Sequence, residues 1–163
     1  GIDSDSGAEF INYHLYQYCQ DEKLTFTRSR SYRKNDNCFV EQKNYSVVRR
    51  AVGYLRYDTE EELQTLNEIY RHLRLYTNFF QPTMKLREKT RTGSKVTKKY
   101  DKPRTPYRRA LASLHVSWAN KALLKKQYVK LNPAALKRLI TRLQQKLLRL
   151  ASRKERIRKQ DAA

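Results

Sequence analysis

Residues 31–44 read SYRKNDNCFVEQKN, a polar loop that continues into the apolar-striped start of a helix. Glu41 is an isolated carboxylate in the first turns of that helix, next to Val40. From Asn37 to about Arg56 apolar residues recur at helical spacing, which predicts one continuous helix. The residues of this stripe are Val40, Val47, Val48, Ala51, Val52 and Leu55. Successive residues turn by about 100° round a helix axis, so Glu41 lies beside the stripe.

A second acidic motif, DSDSGAEF, occupies residues 3–10. Asp5 stands there before a Ser–Gly pair that leads into a predicted helix over 8–22. The apolar residues of that helix are Phe10, Ile11, Leu15, Tyr18 and Cys19. The β-branched and aromatic residues of KLTFTRS predict a strand over 23–29, and a loop follows over 30–36.

The chain is strongly basic. Its 163 residues include 36 Lys and Arg against 16 Asp and Glu, a formal net charge of +20. This excess predicts a polyanionic partner, nucleic acid first and an acidic membrane surface second. The longest apolar runs are only a few residues, so no segment can span a bilayer. Two cysteines, Cys19 and Cys38, do not make a disulfide framework, and a reduced cytoplasmic protein is the simplest interpretation.

The middle of the chain predicts a helix and then a basic segment. Thr59 and Glu62 form a capping-box pattern that opens a helix ending near Phe80. The stretch 85–102 is basic and poor in large apolar residues, with a turn at RTGS over 91–94. A flexible hairpin or loop is the structure expected there.

Two further helices are predicted near the end of the chain, because each has a capping residue followed by proline. They open at Thr105–Pro106 and at Asn132–Pro133. In the last helix apolar residues alternate four and three apart, which is a heptad seam of about two repeats. The seam consists of Leu136, Ile140, Leu143, Leu147 and Leu150.

The two acidic motifs together resemble a known family. Between Asp5 and Glu41 lie 35 residues. The turns SDSGAEF and NDNCFVE and their separation are similar to those of the DDE transposase and integrase superfamily, at its second Asp and its Glu. The loop RSRSYRKNDN and the later stretches LRLYTNFFQPTMKL and KKYDKPRTPYRRAL are similar to bacterial insertion-sequence transposases. The resemblance covers residues 1 to about 115.

This resemblance implies a fold, a chemistry and partners. The fold would be an α/β remnant of a ribonuclease H-like integrase core, mostly α in this stretch, followed by C-terminal helices. Asp5 and Glu41 would be catalytic residues and ligands of two Mg²⁺ (or Mn²⁺) ions about 3.5–4 Å apart, which activate water or a 3′-hydroxyl for attack on DNA phosphate. The partners would be transposon ends and target DNA, bound by a homo-oligomer at the nucleoid of a bacterial cytoplasm, with no membrane involved.

The sequence departs from the family pattern upstream of Asp5. The family places a first catalytic Asp on an earlier strand, so the resemblance implies a chain truncated at its N-terminus and inactive alone. A non-catalytic DNA-binding or assembly remnant of such an element is the alternative. The expected parts are the end of the catalytic core over 1–58, a helix with a basic arm and a short helix over 59–115, and a basic helical extension over 116–163.

Two basic segments and Asn37 could contact DNA. The stretch 85–109 holds 11 Lys and Arg against Glu88 and Asp101. It is either a solvated loop or an arm that tracks phosphates, and we favour the arm because counterion release favours binding. The predicted DNA-binding residues are Lys85, Arg87, Lys95, Lys98, Lys99, Lys102 and Arg104.

The last helix, 133–160, could pack on the domain, self-associate or lie along DNA. Asn37 could orient DNA or cap its own helix, and the cap is preferred.

Overall fold

The computed structural model describes residues 1–7 and 12–161. The chain divides into two compact units, residues 1–55 and residues 56–163, so the expected parts 59–115 and 116–163 lie in one unit. Helix is the main secondary structure of both units. Within the described ranges no helix combines the length and the apolar character that crossing a membrane requires.

The first unit begins with two parallel strands joined by a helix. Strand β1 (Ile2–Ser4) pairs in parallel with β2 (Phe26–Arg28), and helix α1 (Tyr13–Asp21) makes the crossover that a parallel pair needs. The predicted helix over 8–22 is confirmed over Tyr13–Asp21, whereas Asn12 is extended and caps α1 through its side chain. Residues 8–11 lie outside the described residues. The predicted strand over 23–29 is confirmed at three of its seven residues, Phe26–Arg28.

The segment predicted as one helix over 37–56 is divided into four parts. A 3₁₀ turn (Lys34–Asn37) leads into α2 (Cys38–Lys43), a π-helical stretch (Asn44–Arg49) follows, and α3 (Arg50–Val52) ends the segment. Gly53 then has φ +72°, a conformation that costs glycine little. The helix prediction is therefore confirmed over 38–52 and wrong after Val52. The π stretch departs from the regular helical period and changes the angular position of every later side chain. None of the residues in the π stretch or α3 is buried.

Two long helices form the interior of the second unit. Helix α4 (Glu60–Phe80) packs against α7 (Pro133–Asp161). The buried apolar side chains of this unit are Ile69, Phe79, Leu136, Ile140, Leu143, Leu147 and Ala151. Four of the five predicted seam residues are thus confirmed as buried, while Leu150 is only half-buried and its neighbour Ala151 is buried instead. Of the roles left open for the last helix, packing on the domain is the one observed.

Both long helices begin at the predicted caps. The Thr59 hydroxyl accepts a hydrogen bond from the Glu62 N–H at 3.3 Å, and the Glu62 carboxylate accepts from the Thr59 N–H at 3.0 Å. The Asn132 side chain accepts from the N–H groups of Ala134 and Ala135 at 2.9 and 3.1 Å. The capping-box prediction for α4 is confirmed, and so is the start of α7 after Asn132.

The basic segment between the long helices forms an antiparallel hairpin. Strand β3 (Leu86–Thr92) pairs with β4 (Lys95–Tyr100), with a register irregularity between Leu86 and Glu88. A two-residue turn joins them, and Gly93 takes φ +60° at its first position, as a type II′ turn requires. Of the hairpin and the loop that the sequence allowed, the hairpin is present.

Two shorter helices, α5 (Pro106–Ala112) and α6 (Trp118–Val129), complete the second unit. The rings of Tyr107 and Tyr128 stack with centroids 4.7 Å apart and planes 12° from parallel. Phe79 lies 5.2 Å from Tyr107, and Phe80 lies 5.6 Å from Tyr128. This aromatic cluster joins α5 and α6 to the end of α4, and such ring pairs add to the free energy of burial.

Candidate functional site

Asp5 lies directly after strand β1, at the carboxyl end of the parallel pair. Its Oδ1 accepts a hydrogen bond from the Gly7 N–H at 3.0 Å, which closes a local Asx turn. The Ser29 N–H donates to the Ser4 carbonyl at 3.1 Å, and the Ser6 hydroxyl donates to the Ser29 carbonyl at 2.9 Å. These bonds fix the turn against the end of β2, so the half-buried Asp5 carboxylate is held at the strand end.

Glu41 lies in the first turn of α2 and is exposed. The loop before α2 is braced by Arg30, whose Nε and Nη2 donate to the two carboxylate oxygens of Asp36 at 2.7 and 3.1 Å. These hydrogen bonds, with one from the Arg30 N–H, lower the pKa of Asp36 to about 2. Asp36 is therefore engaged in bracing the loop, and Glu41 carries the exposed carboxylate of α2.

Asn37 does not cap α2, so the preferred interpretation of this residue is wrong. Its backbone is already helical, with φ −81° and ψ −8°, because the 3₁₀ turn precedes α2 without a break, and its side chain makes no capping bond. Its Oδ1 is buried without a hydrogen-bond partner in the described chain, and the same is true of Ser4 Oγ. A buried polar atom left unpaired costs about 1–3 kcal/mol. One such atom precedes Asp5 and the other lies one helical turn before Glu41.

The donor type of the two acids suits Mg²⁺, which is usually bound through one or two carboxylates and keeps several waters. Across residues 1–7 and 12–161, however, His, Cys, Asp and Glu do not come together in any group of three or more that could hold a metal ion. Among the described residues, neither Asp5 nor Glu41 therefore belongs to a group of three or more such ligands.

All seven predicted DNA-binding residues are exposed, and they lie on the hairpin or at its base. In strand order they are Lys85, Arg87, Lys95, Lys98, Lys99, Lys102 and Arg104. Lys99 Nζ lies 3.0 Å from Glu88 Oε2 across the strands, which offsets its charge locally. The seven side chains therefore differ in how much uncompensated positive charge they present.

A clamp at the base of the hairpin holds it to α5. Arg109 donates from Nη1 and Nη2 to the two carboxylate oxygens of Asp101 at 2.6 and 3.0 Å, and from Nη2 to the Thr83 carbonyl at 2.7 Å. The Lys85 N–H also donates to Asp101 at 2.7 Å. The Arg109 guanidinium and then the Lys85 N–H hold the pKa of Asp101 well below its usual range. Arg109, one of the cations counted in the basic segment, is therefore engaged in positioning the hairpin.

Lys89 and Arg91 are exposed hairpin cations that the sequence-based site residues omit. A sequence signal that predicts them is the alternation of side chains between the two faces of a strand, counted in both directions from the turn at Gly93. This alternation assigns each cation to one face of the hairpin, whereas the net charge of the segment does not.

No family model matches the chain, and no solved structure matches it either. The uncharacterized protein y4rM of Sinorhizobium fredii is 48% identical to the chain over 109 residues. The match covers 67% of this chain and 31% of the relative, so the chain spans about a third of that protein's length. The name of this relative assigns it no activity.

Proposed function

We propose that the chain contributes the second Asp and the Glu of a DDE-type DNA transposase or integrase, which cuts and joins DNA phosphodiesters. One observation carries the proposal: Asp5 follows the first of two parallel strands, and Glu41 lies on the helix after the second. This strand–helix–strand–helix order is the setting in which the resemblance places the two acids. The separation of 35 residues and the flanking motifs support the same assignment.

In this proposal Asp5 and Glu41 hold Mg²⁺ or Mn²⁺ ions together with a carboxylate from outside the described residues. The Gly7 N–H and the bonds to Ser29 keep the Asp5 carboxylate at the strand end. The exposure of Glu41 leaves its carboxylate open to an ion or to a DNA phosphate bound through one. The intact protein acts as a homo-oligomer on transposon ends and target DNA, at the nucleoid in a bacterial cytoplasm.

A second candidate is a non-catalytic DNA-binding or assembly role. It is favoured by the hairpin, whose exposed cations belong to the second unit and depend on neither acid. The two candidates differ in whether Asp5 and Glu41 share an ion.

Iron-directed backbone cleavage tests that difference, because Fe²⁺ can replace Mg²⁺ and, with ascorbate and peroxide, cuts the chain next to its ligands. We expect cuts near both Asp5 and Glu41, and the loss of both cuts in either Asp5→Asn or Glu41→Gln. The matched control is Asp3→Asn, since Asp3 is exposed and accepts from the Thr27 hydroxyl at 2.8 Å; it should keep both cuts.

Cuts near one acid alone, or cuts that survive Asp5→Asn, would contradict the shared ion. If the same protein still bound DNA, the non-catalytic role would become the better account. Each result therefore favours one of the two candidates.

A further inference from the structure

The register of the hairpin separates its side chains into two faces, because residues paired across an antiparallel ladder point to the same side. Lys89 pairs with Lys98 and Arg91 pairs with Val96; we name this side the basic face. The other side, which we name the threonine face, holds Glu88, Thr90, Thr92, Lys95, Thr97 and Lys99.

The two faces differ sharply in charge. The basic face carries three cations and no carboxylate. On the threonine face Glu88 pairs with Lys99 at 3.0 Å, which leaves Lys95 as the unopposed charge. The basic face also sets Lys89 directly opposite Lys98, an arrangement that destabilises a hairpin unless an anion lies between the two ammonium groups.

Both faces are exposed over the full length of β3 and β4. A two-stranded hairpin is marginally stable alone in water, so its persistence here depends on its base. The Asp101–Arg109 clamp and the paired backbones of Thr83 and Arg104 supply that support. The hairpin is thus anchored at one end and projects both faces into solvent.

We propose that the hairpin binds duplex DNA through its basic face and keeps its threonine face toward solvent; this deepens the proposed function and rests on it. A two-stranded antiparallel ribbon fits the major groove of B-DNA, which is about 12 Å wide. Lys89 and Arg91 lie two residues apart on one strand, about 7 Å along it. Together with Lys98 on the opposite strand, they present three cationic side chains to the phosphates at the edge of the groove.

Duplex DNA is the occupant that the shape favours. The major groove of A-form RNA is too deep and narrow to admit side chains in this way. The charge is complementary to a polyanion, and the basic face has no acid that would repel one.

Two double variants test the proposal, each removing two lysines from the hairpin. The first is Lys89→Gln with Lys98→Gln, on the basic face. The second is Lys95→Gln with Lys99→Gln, on the threonine face. The second also releases Glu88, so if position did not matter it would weaken binding at least as much as the first.

Fluorescence anisotropy of a labelled DNA duplex, measured over a series of salt concentrations, reads out both affinity and phosphate contacts. For the basic-face variant we expect a several-fold weaker affinity and a salt slope smaller by about 2, one for each lost phosphate contact. The threonine-face variant should keep the slope to within about 1. Circular dichroism should show that both variants keep the wild-type helix content.

Equal losses in the two variants would overturn the assignment of the face while leaving DNA binding in place. Wild-type affinity in both would overturn the role of the hairpin. A duplex RNA bound with the same affinity and the same face dependence would overturn DNA as the occupant. The iron-cleavage result is independent of all three, so failure of this proposal and failure of the proposed function are distinguishable.

Discussion

The ammonium of Lys154 lies 2.9 Å from Oε2 of Glu62, although the two residues are 92 positions apart in the chain. Glu62 is fully buried. Lys154 Nζ also donates to Asp58 Oδ1 at 2.8 Å and to the Arg56 carbonyl at 2.7 Å. Burial raises the pKa of Glu62, but the hydrogen bonds from Lys154 and from the N–H groups of Thr59 and Asp58 outweigh it, so the pKa is lowered. This network fixes the end of α7 against the start of α4.

Replacing Lys154 with Met should lower the melting temperature of the second unit markedly. The variant keeps most of the aliphatic stem but leaves Glu62 as a buried carboxylate without its cation, and such groups are strongly destabilising. The control is Lys146→Met, because Lys146 pairs with Glu61 at 3.4 Å where both side chains are more than half exposed. Thermal melts followed by far-ultraviolet circular dichroism compare the two. Equal shifts would mean that the Lys154 network contributes no more than a surface pair.

Replacing Leu147 with Ala should cost about 2–5 kcal/mol of unfolding free energy, because a buried leucine leaves a cavity that its neighbours fill only partly. Leu147 is 1% exposed, whereas the next residue, Leu148, is 55% exposed. Leu148→Ala is therefore the control and should change the free energy by less than about 0.5 kcal/mol. Urea unfolding measures both. A large loss at Leu148 with none at Leu147 would show that α7 packs through a different face.

The second unit should lose stability in acid. The hydrogen bonds from Lys154 and Arg158 lower the pKa of Asp58 from 3.8 to about 2. A carboxyl group with a lowered folded-state pKa stabilises the fold above its unfolded value, and that stability is lost as the pH falls through the folded value. We therefore expect the melting temperature to fall between pH 3.8 and about 2. In Asp58→Asn this fall should be shallower, and an unchanged profile would contradict the assignment.

Duplex DNA binding should depend steeply on salt. If the chain neutralises Z phosphates, log K should fall against log salt with a slope near −0.9Z. Replacing Lys95, Lys98, Lys99 and Lys102 with Ala should flatten the slope and weaken binding to all sequences alike. Asp5→Asn and Glu41→Gln serve as controls in a buffer without divalent cations and should leave the slope unchanged, because a carboxylate can reach a DNA phosphate only through a bound cation. An affinity that does not respond to salt would mean that the hairpin is solvated and does not bind DNA phosphates.

Local sequence signals predicted the second unit well. The capping box at Thr59, the caps before Pro106 and Pro133 and the spacing of the α7 seam all depend on interactions within a few residues. Such interactions leave a readable pattern because the partners keep a fixed separation in the chain.

The segment around Glu41 was predicted less well, and the reason is geometric. Apolar periodicity assumes 3.6 residues per turn, and a π-helical stretch at Asn44–Arg49 violates that assumption without any proline or glycine to announce it. Two residues of the apolar stripe, Val47 and Leu55, are exposed, and Leu55 lies beyond the last residue of α3. The partners of Lys154 were equally out of reach, because they become neighbours only when α4 and α7 pack. The amino-acid sequence alone does not show that Lys154 and Glu62 are close in space.

The bond between Arg158 Nη2 and Asp58 Oδ2, 3.1 Å long, has a consequence for the chain's connectivity. It joins residues 100 positions apart at the two extremities of the second unit. A polypeptide whose two ends are neighbours can be circularly permuted. A short linker would join residue 161 to residue 56. The new termini would lie in the loop at Leu114, which is 94% exposed. Because its two ends are close together, the whole unit could be inserted into a surface loop of another protein, whose two loop ends would need to move apart by only a small distance.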